Sequence, residues 1–204
     1  MPRAPGPVGA VLAGGLGRRI GGDKALVSLA GRPLISYGLA ALREALGSDP
    51  VVVAKWGTEL PELPAGVEVW IEPDEPRHPL TGIVHALEQA AGRDVLVLAV
   101  DLPLVGAEVL RQLVEAASEP PGGGSVVACA AGRVQPLCGL YAAAALPALR
   151  GVKADVRLTD VVDALGASAL RVAGADVLLN VNTARDVRRA ESRLSSCARA
   201  WPGP

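Results

Sequence analysis

The chain has 204 residues, half of them hydrophobic but only 2% aromatic and none Phe, with 20 basic against 21 acidic side chains and a formal net charge of −1. That length suffices for one domain whose core is filled by Val, Leu and Ala, and the charge balance excludes a general attraction to nucleic acid or to an anionic membrane surface. The longest apolar runs, such as VLVLAV at 95–100, fall far short of the roughly 20 residues a membrane span needs, and the proline-rich, glycine-broken N-terminus is a poor secretory signal, so the chain reads as soluble and cytoplasmic.

In chain order, the first Val-rich run, 8–13, predicts a strand that breaks into a loop with five glycines. PLISYGLAALREAL (33–46) spaces its apolar residues as a helix does, with Pro33 at its start and Gly47 at its stop. Strands follow at 51–55 and 67–72, then a helix in GIVHALEQAAG (82–92) with Pro79 ahead of it, a strand at 95–100 and a helix in AEVLRQLVEAAS (107–118). EPPGGGS (119–125) marks a flexible connection within one domain spanning 1–204. Beyond it come strands at 125–130, 169–172 and 177–181, a helix in LTDVVDALG (158–166) and a solvated final helix carrying five arginines. This alternation predicts an α/β fold: a Rossmann-like, three-layer α/β/α domain with a mostly parallel central sheet. Cys129, Cys138 and Cys197 are odd in number and lack metal-type spacing, which argues against a disulfide framework and a zinc site.

The loop in VLAGGLGRRIGGDKA (11–25) is the first candidate site. A strand ending in glycines lets backbone approach a ligand closely, and its N–H groups suit phosphate oxygens when cations follow, as Arg18, Arg19 and Lys24 do. Two other phosphate motifs fail on spacing. Asp23 stands where a P-loop needs Lys, and Ile20 replaces the third glycine of a dinucleotide fingerprint. Asp101 is the second candidate, because it ends the apolar run VLVLAV and so belongs at the carboxyl edge of a central strand, where open α/β sheets keep their ligand crevice. A carboxylate there can hold Mg²⁺, which takes one or two protein ligands and phosphate oxygens for the rest. The competing reading of Asp101 is a helix cap before PLVGAEVL. His78 and His85 read as a turn residue and a helix-face residue, and no Ser-His-Asp pattern is present.

LAGGLGRRIGGDK resembles the L-A-G-G-x-x-x-R-x-G-x-D-K signature of the molybdenum cofactor guanylyltransferases, within the nucleotidyltransferase superfamily. HPLTG, AVDLP, QPLCGLY and NVNT resemble further segments of that family in the same order, so the likeness runs from Val8 to about Ala190. It implies transfer of GMP from GTP to the terminal phosphate of molybdenum-molybdopterin with release of pyrophosphate, and partners that deliver molybdopterin or mature molybdoenzymes. It divides the domain into a nucleotide-binding portion, about 7–118, and an acceptor-side portion, about 125–190. It also implies Mg²⁺ on Asp101, with Arg19 and Lys24 neutralising the leaving pyrophosphate. The base pocket would use the backbone of Leu12, Ala13, Gly14 and Gly15 and an acidic residue after the third strand, Asp74, with Glu72 as a rival. A carboxylate can accept from guanine N1–H and the exocyclic amine together.

On the acceptor side the resemblance implicates Gln135 and Arg157. In NVNT, strand alternation puts Asn180 and Asn182 on one face, toward metal-linked phosphate or the acceptor, while Asn182 and Thr183 can instead cap the last helix. Departures from the pattern are His78 before Pro-Leu, Val100 before the Asp, Ala142 after Tyr141, and Ala54 where some members carry an Asn that touches the nucleotide. The competing functions are a relative that uses CTP or another small phosphate acceptor, and a non-catalytic nucleotide-binding adaptor. Gly14-Gly15 argues against CTP, whose users tend to carry L-A-A-G, and intact Arg19, Lys24 and Asp101 argue against the adaptor.

Overall fold

The computed structural model describes residues 6–14, 23–119, 124–153, 155–174 and 176–199. Its strands are β1 (Val8–Leu12), β2 (Ser28–Leu29), β3 (Arg32–Pro33), β4 (Val51–Lys55), β5 (Glu68–Glu72), β6 (Val95–Ala99), β7 (Val126–Ala130), β8 (Arg133–Tyr141) and β9 (Ser168–Arg171). Its α-helices are α1 (Ile35–Leu46), α2 (Pro79–Gln89), α3 (Ala107–Ser118), α4 (Leu146–Arg150), α5 (Leu158–Ala164) and α6 (Ala184–Arg199). Seven strands form one sheet in the order β5-β4-β1-β6-β8-β7-β9, and β2 and β3 form a separate hairpin. Within the large sheet only β8 runs against its neighbours, β6 and β7, and the other pairings are parallel.

The Val-rich strands are buried on both faces, and their alternation builds two cores. Val11, Val52, Leu96 and Leu98 meet α1 and α3 on one face, with Ile35, Leu39, Leu110 and Leu113 filling the space between. Val8, Ala10, Val51, Val53, Val95 and Val97 meet α2, α4 and α5 on the other, through Ile83, Leu87, Leu149 and Val161. Burying each such side chain is worth about 1.5–3 kcal/mol, so the layered arrangement follows from the period-2 pattern. No helix among the described residues is long and apolar enough to cross a membrane.

Besides the short β2–β3 hairpin, which takes up Pro33 so that α1 starts at Ile35, and α4, two longer segments depart from the sequence expectation. Residues 177–181 form no strand. Asp176 is gripped by Arg189 and Arg193 of α6, the chain turns through Val177 and Leu178, and the Leu179 N–H donates to the Asp176 carbonyl (3.0 Å). The apolar run has another cause: Val177 and Leu178 pack on the α1/α3 core, while Leu179 and Val181 pack on a third cluster around Leu29, Leu34 and Ala190. Conversely, QPLCGLY lies in β8, a strand the pattern hides. Pro136 sits where the β7–β8 register jumps, since Ala128 faces Gln135 but Val127 faces Gly139, and a proline is tolerated where the ladder is interrupted.

Gly139 is required by close approach. A Cβ there would lie 2.6 Å from the Val126 carbonyl oxygen and 2.7 Å from Val127 Cγ1. Gly139→Ala is expected to lower stability by about 1–3 kcal/mol through overpacking, read as a lower midpoint in urea unfolding.

The sheet order reverses at β1, which has β4 on one side and β6 on the other. A crevice therefore opens at the carboxyl ends of β1 and β6, where Leu12–Ala13–Gly14 and Val100–Asp101 emerge.

Candidate active site

That crevice is a cavity of about 530 Å³, of a size that suits a nucleotide, lined among others by Gly14, Lys24, Trp56, Glu72, Asp74 and Asp101. The sheet ladder continues past β1, with the Val100 N–H donating to the Leu12 carbonyl (3.1 Å) and the Ala13 N–H to the Val53 carbonyl (2.8 Å). Leu12 lines the cavity, whereas the Ala13 amide is engaged within the sheet. Gly15, Arg18 and Arg19 lie outside the described residues, while Gly14 and Asp23 on either side of that segment both line the cavity.

At one end, three residues distant in sequence converge. Lys24 sits in a 3-10 turn (Lys24–Leu26) after the glycine loop. Its Nζ donates to Asp101 Oδ2 (2.7 Å) and to Asn182 Oδ1 (2.5 Å), and the Lys24 and Asp101 side chains are 16% and 14% exposed. Asp101 does not cap the helix that follows, because α3 begins at Ala107 with Gly106 as its N-cap. The Asp101 carbonyl instead accepts from the Val181 N–H (2.8 Å), which ties the NVNT segment to the end of β6. Thr183 and Asp186 make the cap of α6: Thr183 Oγ1 accepts from the Asp186 N–H (3.2 Å) and Asp186 Oδ2 from the Thr183 N–H (2.9 Å), which leaves the Asn182 side chain to Lys24. Asn180 Oδ1 accepts from Gln135 Nε2 (3.4 Å), and no strand carries either asparagine; Asn182 meets the site through Lys24, while Gln135, Asn180 and Asn182 themselves do not line the cavity. Arg157 stands exposed at the N-cap of α5 and does not line the cavity.

At the other end lies Glu72, the last residue of β5 and only 7% exposed. Its register partner on β4, Lys55, sets Nζ 3.6 Å from Glu72 Oε1 and donates to the Pro73 carbonyl (2.6 Å). Oε2 is buried with no hydrogen-bond partner among the described residues. Burial pushes the Glu72 carboxyl above its usual range, while the Lys55 ammonium pulls the other way. Two glycines make room for it. A Cβ on Gly14 would lie 2.2 Å from Oε1, and one on Gly82, in the first turn of α2, 3.0 Å from Oε2. Asp74 lines the same cavity but is exposed. His78 is the N-cap of α2, its Nδ1 accepting from the Leu80 N–H (3.2 Å), and His85 lies on the same helix, half-buried. Sequence reasoning did not single out Lys55 or Trp56, whose only signal is their position directly after a buried Val run.

Glu72 also predicts a pH dependence. A carboxyl whose folded pKa is raised adds stability below the unfolded value of about 4.3, and loses it as pH rises through the folded value. Glu72→Gln is therefore expected to raise the thermal midpoint at neutral pH, with the difference vanishing in acid. Thermal unfolding of both proteins across that range checks it.

Comparison with known proteins agrees with this geometry. The family model for the MobA-like NTP transferase domain matches residues 9–185. A molybdenum cofactor guanylyltransferase of Cereibacter sphaeroides is 37% identical over 193 residues, which cover 91% of this chain and 96% of that protein. Molybdopterin-guanine dinucleotide biosynthesis protein A from Archaeoglobus fulgidus superposes with a TM-score of 0.70 at 25% identity, over 92% of this chain and 98% of its own. Rv0371c of Mycobacterium tuberculosis H37Rv, in a structure complexed with manganese, shares the fold with a TM-score of 0.68 at 19% identity, over 92% and 98% of the two chains. With the family model matching nearly the whole sheet and a relative 37% identical over 91% of the chain, the chain belongs to the MobA-like NTP transferase family.

Proposed function

We propose that this chain transfers GMP from GTP to the terminal phosphate of molybdenum-molybdopterin, releasing pyrophosphate, with Mg²⁺ as its metal ion. The observation that carries the reading is the Lys24 ammonium held between Asp101 and Asn182 in the same cavity as a buried carboxylate, one of whose oxygens has no hydrogen-bond partner among the described residues. An ammonium has three N–H donors, and two are engaged among the described residues, which leaves the third for a phosphate oxygen in this reading. Asp101 would hold the metal as the single protein carboxylate of a site completed by water and phosphate oxygens, a donor set that fits Mg²⁺. When bound, that ion supplies Lewis-acid polarisation of the phosphate and neutralises charge on the departing pyrophosphate.

The chain's own residues have few covalent tasks. The attacking phosphate oxygen is already ionised, so no general base is needed. Lys24, together with Arg19 of the glycine loop, offsets negative charge as pyrophosphate leaves. Gln135, Asn180, Asn182 and Arg157 are the acceptor-side residues of this reading; all four stand outside the cavity wall, and Asn182 reaches it through its bond to Lys24. For the base, Glu72 fits better than Asp74: an unsatisfied buried acceptor is costly, and guanine N1–H and its amine are donors that would satisfy it. The reaction belongs to the cytoplasm, with molybdopterin-delivering and molybdoenzyme-maturation proteins as partners.

The test is to incubate the protein with Mg²⁺, molybdenum-loaded molybdopterin and each nucleotide in turn, then identify the product by mass. A GMP adduct with stoichiometric pyrophosphate is expected. A CMP adduct formed in preference, or nucleotide binding with no product, would replace this reading by one of its two rivals.

A further inference from the structure

The chain contains three Trp and two Tyr and no Phe. Tyr141 is fully buried, Tyr37 donates its hydroxyl to the Leu29 carbonyl (2.7 Å), and Trp70 is half-buried on β5; Trp201 lies outside the described residues. Trp56 is different. It is 80% exposed, the most exposed of the large hydrophobic side chains described, and it lines the nucleotide-sized cavity. Its turn is held at both ends. Lys55 before it reaches Glu72, and the Thr58 N–H donates to the Lys55 carbonyl (3.1 Å). The Glu59 N–H then donates to Asp23 Oδ2 (2.6 Å), next to Lys24. An indole set on a fixed turn between the buried carboxylate and the phosphate-end lysine adds little to the core, yet offers the cavity a broad aromatic face.

We propose that Trp56 is the base-stacking platform of this site, its indole face set against the purine whose edge Glu72 reads. The inference rests on the GTP reading above. Aromatic stacking holds any base, but a bicyclic purine overlaps the indole more fully than a pyrimidine does. Stacking and edge-reading then divide the selection: Trp56 separates purine from pyrimidine, and Glu72 separates guanine from adenine.

The test uses the full chain with Trp70→Phe and Trp201→Phe, so that Trp56 is the only tryptophan and is excited selectively over the two tyrosines, titrated with GTP, ATP, CTP and inorganic tripolyphosphate in the presence of Mg²⁺. GTP should quench Trp56 emission saturably, CTP less, and tripolyphosphate not at all. In the otherwise wild-type chain, calorimetry of Trp56→Ala should give a GTP Kd raised on the order of fivefold to twentyfold, a smaller rise for CTP and an unchanged Kd for tripolyphosphate. Trp56→Phe should recover most of the GTP affinity. GTP binding that leaves Trp56 emission and the Trp56→Ala affinity unchanged overturns the platform while sparing the guanylyl reading. Equal quenching by GTP and tripolyphosphate also overturns it, by tracing the signal to the phosphate end. Quenching by ATP in preference to GTP keeps the platform and overturns the guanylyl reading, whereas quenching by CTP in preference to GTP, or failure of every nucleotide to bind, overturns both.

Discussion

Asp101→Asn is expected to reduce turnover by about 10²-fold or more, the scale of losing one preorganised electrostatic contact, with little change in thermal stability. Asn keeps the size of the side chain and a carbonyl oxygen that can still accept from the Lys24 ammonium, so the link among Lys24, Asp101 and Asn182 need not come apart. What disappears is the charge. On the reading proposed above, the metal ion would lose its anionic protein ligand, and Lys24 would lose its counter-ion as pyrophosphate leaves. Steady-state rates over a range of Mg²⁺ concentrations check this. The variant should need far more metal for half-maximal rate, and near-normal turnover at limiting Mg²⁺ would exclude Asp101 as the metal ligand.

Much of the architecture is legible because it is written in local pattern. The central strands β1, β4 and β6 are buried on both faces, so each reads as an unbroken Val-rich run, and Asp101 is conspicuous because it ends one of them. β8 is hidden because Pro136 and a register jump interrupt its alternation, and both features are tolerated only through what β7 does alongside. The false strand at 177–181 arises from the converse problem. Its apolar residues serve two separate cores, and a sequence window cannot tell that from one buried strand.

The site divides in the same way. That Lys24, Asp101 and Asn182 each carry chemistry is suggested by their motifs, but their meeting is tertiary, since Lys24 and Asn182 are 158 residues apart. Likewise nothing in IEPDEP separates Glu72 from Asp74. The difference comes from Gly14 and Gly82, which close around Glu72 from beyond the end of β1 and from α2, while Asp74 stays in solvent.

Glu72→Gln is expected to cut the preference for GTP over ATP by at least about tenfold, measured as the ratio of kcat/KM values. The substitution preserves the side-chain volume between Gly14 and Gly82 but turns one acceptor oxygen into a donor. Guanine presents two donors, N1–H and its amine, and a carboxylate with one oxygen unpaired among the described residues can accept both. Against Gln one of them meets another donor, and a buried mismatch of this kind costs on the order of 1–3 kcal/mol, more where a charge is involved. ATP lacks donors at those positions, so in the wild type it leaves Glu72 desolvated and unpaired, and the variant removes that penalty. GTP use should therefore fall while ATP use holds or rises, which an unspecific loss of folding or of phosphate binding cannot produce. Asp74→Ala provides the control. If Glu72 reads the base, that change leaves the nucleotide ratio near the wild-type value, because an exposed carboxylate on the cavity rim already has water for a partner. Collapse of the ratio in Asp74→Ala but not in Glu72→Gln would move recognition to Asp74 and leave the buried carboxylate of β5 as a partner for Lys55 alone.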